Sequence, residues 1–430
     1  MNPFYYLYEH SYCIPPALKR WAVKKNGAVR EVPVTFKRVA YSLFALVFFL
    51  VCTFFVFIPY TLVHRLLPKT EKRQMFYHRC LRYISEFVIR RVPGVRFTYD
   101  NSVGETFEKP AVIICNHQSQ LDLMAILMMS PKVIILTNDW VWRNIYYGLI
   151  IHTAEFYPVS DGMDTNMPRM KDLVKRGYSI VIFPEGTRTN TRNIMRFHKG
   201  AFALAKELGV DLLPVCLHGL VDVMPKRDFM LRQGRATLRV YSRMTAEEMQ
   251  QYDDRQLTKM WHKWYVKEYE TMSRELEDIA YCSFFTRYKY MYRGRSVERN
   301  CKRMLKLLKA HAEDVEKVLD GVTELNLLDS GHGEVAFTLA LRHPEMQIHA
   351  YEQDEKRHLL ASTTDRIPDN LTFIHGTSPD NDKEDALTHT SADGLTIAEN
   401  EIRVSGSDPA TACASKSLTI SVNELLKIEH

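Results

Sequence analysis

The longest apolar stretch, "VAYSLFALVFFLVCTFFVFIPYTLV" at 39–63, is followed at 75–92 by "MFYHRCLRYISEFVIRRV", where apolar and basic residues alternate at near-helical spacing. The first run has 25 residues without a charge, more than the roughly 20 that cross a hydrocarbon core, and predicts a membrane helix. Pro59 lies near its end, where a kink is tolerated. The second run predicts a helix lying at the membrane interface, or an amphipathic helix packed on the domain that follows. From about 95 to 243, short apolar runs such as "AVIICN", "KVIILT", "YSIVIFPEG" and "DLLPVCLHG" alternate with helical stretches. Strands buried on both faces and joined by helices give this pattern, so the expected class is α/β. Residues 245–280 are polar and helix-forming, opened by Thr245 and Glu248 at capping-box spacing. A further unit starts near 285 with "FFTRYKYMYRGRSVERNCKRMLK" and continues through "ELNLLDSGHGEVAFTLA" and "MQIHAYEQDEK". After 376 the chain turns polar, with weak strand signals at 394–404 and 417–422.

With 430 residues, 46% hydrophobic and 25% charged, the chain has the composition of a folded protein of more than one domain, which excludes collagen-like, disulfide-scaffold and wholly disordered classes. Charge sharpens the picture at one end. Residues 1–99 hold 16 Lys/Arg against 4 Asp/Glu, so the remainder is net acidic although the whole carries +6. A basic block beside an apolar run favours an anionic membrane surface. Nucleic acid is not an expected partner, because neither zinc-finger spacing nor an RNA-binding signature accompanies the charge. Basic residues flank the apolar run on both sides (Lys37 and Arg38 before it, Arg65 and Lys69 after it), which leaves a spanning helix and a re-entrant hairpin both open. The eight cysteines contain no Cys-x-x-Cys pair, so no metal site and no disulfide framework is expected, and a reducing setting fits.

Chemistry enters at "VIICNHQSQLDL", residues 112–123, where an apolar run passes into Asn116, His117 and, five residues on, Asp122. On a continuous helix those two side chains would stand about 140° apart. They meet only if a strand ends near Cys115 and a helix begins near Ser119 or Leu121. A carboxylate on one imidazole nitrogen then fixes the tautomer and leaves the other nitrogen to remove a hydroxyl proton. The plain alternative is a surface histidine in a turn. A second signal, "IVIFPEGTRT" at 180–189, runs from an apolar strand into a loop where Gly186 permits close backbone approach and Arg188 offers a planar charged fork suited to phosphate. In "FHKGAFALAKELGVDLLPVCLHG", Lys199 and Gly200 stand at a helix start, with a strand expected from Pro214.

The blocks "NHQSQLD", "FPEGTRT", "FHKGAFALA" and "LLPVCLHG", in that order, resemble the glycerolipid, or lysophospholipid, acyltransferase family over residues about 75–245. The resemblance implies that His117 is the general base and Asp122 its orienter. It implies that Glu185, Gly186, Thr187 and Arg188 bind the acceptor's polar head, with Asn116 and Lys199 also among the substrate-binding residues. The donor would be an acyl thioester on coenzyme A or acyl carrier protein, with no further cofactor, and the acceptor a lysophospholipid or related lyso-lipid. One departure stands out: where the family often carries a basic residue after an intervening strand, "EFYPVSDGMD" has Ser160 and Asp161.

From about 290 to 375 the chain resembles the start of a class I S-adenosylmethionine-dependent methyltransferase, possessing "LLDSGHGEVA" as its Gly-rich turn and "IHAYEQD" as its second strand. That resemblance implies cofactor contacts from Asp329, Gly331, Gly333 and Glu352, the last toward ribose hydroxyls. The expected organisation is a basic segment at 1–38, a membrane helix plus interfacial helix at 39–92, an acyltransferase-type α/β domain at 93–280, and a partial Rossmann-like α/β domain, degenerate or truncated, at 281–430. The expected function is a membrane-associated O-acyltransferase of lipid biosynthesis with its catalytic domain on the cytoplasmic side. The alternatives are a methyltransferase, a bifunctional acyltransferase and methyltransferase, and a non-catalytic lipid-binding module.

Overall fold

The computed structural model of the protein describes residues 36–51, 57–68, 70–92, 94–137, 142–158, 163–189, 191–226, 231–291, 293–364, 367–377 and 417–426. Ser160 and Asp161, the strand signal at 394–404 and nearly all of the basic segment 1–38 lie outside them. The chain divides between Ser273 and Arg274 into two compact units, seven residues before the boundary expected at 280.

Of the apolar run at 39–63, where a single membrane helix is expected, the described residues form α1 (Phe36–Val51) and α2 (Ile58–Leu66), and 52–56 lie outside them. Pro59 stands in the first turn of α2, where its missing N–H has no helical partner to lose. Among the described residues no helix is long and apolar enough to cross a membrane. Polar side chains in both helices turn to the protein. Ser42 Oγ accepts the Leu231 N–H at 3.0 Å, and Thr61 Oγ1 donates to the Phe57 carbonyl at 2.7 Å. The basic, amphipathic segment becomes α3 (Glu71–Arg91), capped by Thr70. One face of α3 packs on the domain, burying Tyr77, Leu81, Val88 and Ile89, so the purely interfacial reading is corrected toward the packed one. Gln74 Nε2 donates to the Thr153 carbonyl at 2.8 Å and Arg82 Nε to the Met128 carbonyl at 3.0 Å, which fixes that face. Phe76, Tyr83 and Phe87 on α3 stay exposed, as do Phe36, Leu43 and Phe44 on α1.

The alternating apolar runs then build one sheet. In chain order the elements are β1 (Val95–Asp100), β2 (Ala111–Cys115), α4 (Asp122–Leu127), β3 (Val133–Thr137), α5 (Ile145–Thr153), β4 (Tyr157–Pro158), α6 (Met163–Lys175), β5 (Ser179–Ile182), α7 (Gly200–Leu208), β6 (Asp211–His218), α8 (Leu220–Val223), β7 (Gly234–Val240), α9 (Ala246–Gln250) and α10 (Asp254–Leu276). Seven strands pair in the order β1-β7-β6-β2-β5-β3-β4, all parallel except β6 against β7. Every residue of β2 and β6 is buried, which explains the apolar sequence of β2 and of β6 between Asp211 and His218. β6 begins at Asp211, three residues before the Pro214 start expected. Ile113 of β2 pairs with Val181 of β5 on one side and Leu213 of β6 on the other, so the carboxyl ends of these three strands open onto the same sheet edge. Ligand sites in open parallel sheets form at such an edge. From α10, the Tyr265 hydroxyl donates toward the Ile114 carbonyl at 2.6 Å, lies 2.9 Å from the Val215 carbonyl, and accepts the Val215 N–H at 3.1 Å.

The second unit comprises α11 (Ile279–Lys289), α12 (Arg295–Ala310), α13 (Ala312–Val318), β8 (Glu324–Leu328), α14 (Glu334–Arg342), β9 (Gln347–Glu352), α15 (Glu355–Ser362), β10 (Leu371–His375), β11 (Ser417–Ser421) and α16 (Val422–Leu425). Its four parallel strands run in the order β10-β9-β8-β11, with a separate apolar core that includes Leu308, Leu325 and Phe337.

Candidate active site

β2 delivers His117 to the sheet edge, and α4 starts at Asp122, so the chain turns between the two residues instead of continuing as a helix. His117 Nδ1 lies 2.8 Å from Asp122 Oδ2. The same oxygen accepts the Gln118 and Ser119 N–H groups at 2.6 and 2.9 Å, and the carboxylate is fully buried. Three donors converging on one oxygen hold it where it can support an imidazolium. A carboxylate on Nδ1 assigns the ring proton there and leaves Nε2 as the acceptor. The imidazole side chain is 18% exposed and stacks on Phe183, with ring centroids 4.0 Å apart.

The second block grips the backbone of the first. The His117 N–H donates to Glu185 Oε1 at 2.8 Å, and the His117 carbonyl accepts the Thr189 N–H at 2.8 Å. Glu185 Oε2 accepts the Met195 N–H at 2.9 Å, and the side chain is 3% exposed. Burial pushes the Glu185 carboxyl up to about 8, against the pull of the two backbone N–H bonds; the nearby Asp122 charge adds to the rise. Both oxygens of Glu185 are therefore committed to the protein, and its place is under the histidine rather than on an acceptor head group.

Asn116 is likewise turned inward. Its amide nitrogen donates to the Leu217 carbonyl at 2.8 Å and its oxygen accepts the Leu217 N–H at 2.7 Å, pinning the end of β2 to β6. Gly186 and Thr187 are exposed, and Gly186 has φ +68°, which favours glycine. Arg188 is half-buried beside them. Burial lowers its guanidinium below the ordinary value while the Asp122 charge opposes the shift. Among the described residues no carboxylate forms an ion pair with it. Lys199 is exposed at the start of α7, next to His198, whose N–H donates to the Pro184 carbonyl at 2.8 Å.

Four features escaped the reading of the sequence. Phe183 forms the floor of the imidazole. Gln118 Nε2 donates to the Tyr269 hydroxyl at 2.8 Å, which ties the loop to α10. Ser119 Oγ donates to the Met224 carbonyl at 2.8 Å. Two residues on, Lys226 Nζ donates to Thr187 Oγ1 and to the Arg188 carbonyl, each at 2.8 Å. Phe183, Gln118 and Ser119 lay inside blocks that attracted notice, though not for these roles; no spacing rule points to Lys226. On the far side of α4, Leu123, Met124 and Leu127 join Leu81, Val88 and Ile151 around an almost wholly apolar cavity of about 100 Å³.

The glycine-rich turn of the second unit is built differently. Asp329 is exposed with φ +51°, and Gly331 and Gly333 follow at +62° and +82°. Glu352 Oε2 accepts the Gly331 N–H at 2.6 Å and Oε1 the Asp354 N–H at 3.0 Å. A Cβ on Gly333 would stand 2.5 Å from the Phe373 ring, so that ring lies against the turn. Glu334 opens α14 with 2% exposure, and burial pushes its carboxyl up to about 7. Each Glu352 oxygen thus holds one backbone amide. The cofactor role expected for Asp329, Gly331, Gly333 and Glu352 gains no support from this arrangement, and no step below is routed through S-adenosylmethionine. No group of three or more His, Cys, Asp or Glu able to hold a metal ion occurs among the described residues.

The sheet edge with its histidine and buried carboxylate falls inside residues 94–218, which match the family model described as Acyltransferase. Within that class, the chain is 26% identical over 162 residues to a 1-acyl-sn-glycerol-3-phosphate acyltransferase of Cocos nucifera, covering 36% of this chain and 53% of that protein. It is 31% identical over 123 residues to a chloroplastic 1-acyl-sn-glycerol-3-phosphate acyltransferase of Arabidopsis thaliana, covering 27% and 34%. To the beta form of Homo sapiens it is 29% identical over 154 residues, covering 34% and 55%. The chain thus spans about half the length, or less, of these curated relatives. A solved structure, the 1-acyl-sn-glycerophosphate acyltransferase of Thermotoga maritima, overlaps 54% of this chain and 95% of that one at TM-score 0.47 and 18% identity.

Proposed function

We propose that the first unit transfers a fatty acyl group from a thioester, on coenzyme A or acyl carrier protein, to the hydroxyl of a lysophospholipid. The observation that carries this reading is the imidazole at the sheet edge, bonded at 2.8 Å to a buried carboxylate and still reached by solvent. His117 Nε2 removes the acceptor's hydroxyl proton as that oxygen attacks the thioester carbonyl. The tetrahedral intermediate then expels the thiolate, which recovers the proton from the imidazolium. Asp122 stabilises the cation between these two transfers, and a positioned base of this kind contributes about 10²- to 10⁴-fold. No covalent enzyme intermediate and no cofactor is required.

The substrate class draws support from the relatives, whose names place them on 1-acyl-sn-glycerol 3-phosphate. Arg188, half-buried and without a carboxylate ion pair among the described residues, suits the acceptor's phosphate. The apolar cavity behind α4 suits part of an acyl chain. Exposed apolar side chains on α1 to α3, amid the basic N-terminal third of the chain, support work at a membrane surface, with the catalytic unit on the cytoplasmic side.

Membranes carrying the wild type or His117→Ala, incubated with a labelled acyl thioester and a panel of lyso-lipids, test the proposal. Labelled diacyl product is expected from the wild type, with turnover lower by about 10²- to 10⁴-fold in the variant. Equal product from both would remove His117 from the chemistry, and lipid binding without turnover would favour a non-catalytic module.

A further inference from the structure

A phosphate monoester carries a charge of about −1.5 to −2 at neutral pH. A single guanidinium leaves much of that charge uncompensated. Between the two main blocks Ser160 and Asp161 supply no positive charge, so further compensation would come from elsewhere in the fold. Lys226 lies eight residues beyond the segment that matches the family model. Its segment is fastened to the loop of His117 and Asp122 by the Ser119 Oγ bond to the Met224 carbonyl. Its ammonium meets the other loop, at Thr187 Oγ1 and the Arg188 carbonyl.

We propose that Lys226 is a specificity-determining cation, which holds the acceptor's phosphate together with Arg188. The inference rests on the acyl-transfer reading above and deepens it. Thr187 is exposed and its hydroxyl already occupies a position on the ammonium, so a phosphate oxygen arriving there exchanges for that hydroxyl without moving the lysine far. Lysine suits such an exchange, because its ammonium is a rotatable point charge on a flexible stem. The competing role is a strut that merely holds the turn at 187–188, and charge separates the two. A strut needs only a donor; a phosphate ligand needs a cation. The arrangement predicts an acceptor with an anionic phosphate head over a neutral one of the same chain length.

The test compares wild type with Lys226→Met, Lys226→Gln and Lys226→Arg, using one acyl-coenzyme A and two acceptors, 1-acylglycerol 3-phosphate and the 1-acylglycerol without phosphate. The ratio of kcat/KM for the phosphate acceptor over the neutral one should fall roughly ten- to a hundred-fold in the Met and Gln variants, chiefly through KM. Arginine should restore most of it. Gln keeps a donor for Thr187, so a ratio preserved in Gln but lost in Met identifies a strut and overturns the proposal. Parallel losses on both acceptors, or no change in the ratio, overturn it too. A wild type that prefers the neutral acceptor also refutes it. A wild type that acylates neither acceptor sinks the acyl-transfer reading itself, and the role of Lys226 with it.

Discussion

Each unit of this protein sets a buried carboxylate against backbone N–H groups at the end of parallel strands, with opposite consequences. In the first, Asp122 gathers two amides and an imidazole on one oxygen, and that imidazole reaches solvent. In the second, Glu352 gives one oxygen to Gly331 in the turn after β8 and the other to Asp354 in its own turn, with no imidazole beside them. A carboxylate well supplied with donors is therefore not a site in itself. It becomes one when a second group carries its charge to a place a substrate can occupy.

Two substitutions and one ligand addition probe this contrast in descending order of expected effect. Asp122→Asn puts an amide nitrogen or a weaker acceptor before three donors, so kcat should fall by about 10²- to 10⁴-fold with little change in KM. Steady-state kinetics that left kcat intact would show that His117 needs no orienter. Glu185→Gln keeps the shape but cannot accept from both the His117 and Met195 amides, which should cost about 1–3 kcal/mol of stability and part of the turnover. Its pH dependence is a sharper reading. The carboxyl titrates near 8 in the folded chain against an ordinary 4.5, so the native state holds a proton that the unfolded state has released. The associated stability is complete below about 4.5 and is lost as pH rises through about 8, and the Gln variant should lack that slope in urea melts. The smallest effect belongs to the second unit. S-adenosylmethionine should leave the melting of the full chain unshifted, and a saturable stabilisation would reopen the turn as a ligand site.

Much of this could be read before any coordinates. The apolar runs at 111–115 and 179–182 mark β2 and β5 because strands buried on both faces need no polar residues, and the five-residue step from His117 to Asp122 required a strand end and a helix start. Which side chain a distant amide would claim could not be read. Asn116 is held by Leu217 and Glu185 by His117, across 101 and 68 residues, and nothing local distinguishes those inward polar groups from ones that meet a substrate. The 25-residue apolar run shows the same limit: hydropathy measures what a segment tolerates, and could not tell that Ser42 and Thr61 find partners inside the protein. In the second unit, the spacing of Gly331, Gly333 and Glu352 is compatible with a nucleoside cradle, and nothing local shows that the carboxylate reaches back to the Gly331 amide.

Tyr265 and Tyr269 bear on how this protein can be handled in pieces. Both sit on a helix well past residue 218, where the family match stops, yet one hydroxyl lies at the junction of β2 with β6 and the other braces Gln118 next to the histidine. An excised 94–218 fragment would keep all four blocks but for Gly219 and lose both fastenings, leaving backbone groups of Ile114 and Val215 without that partner. Inactivity in such a fragment would report a loosened sheet, and assigning function by domain dissection here has to begin from cuts made beyond α10.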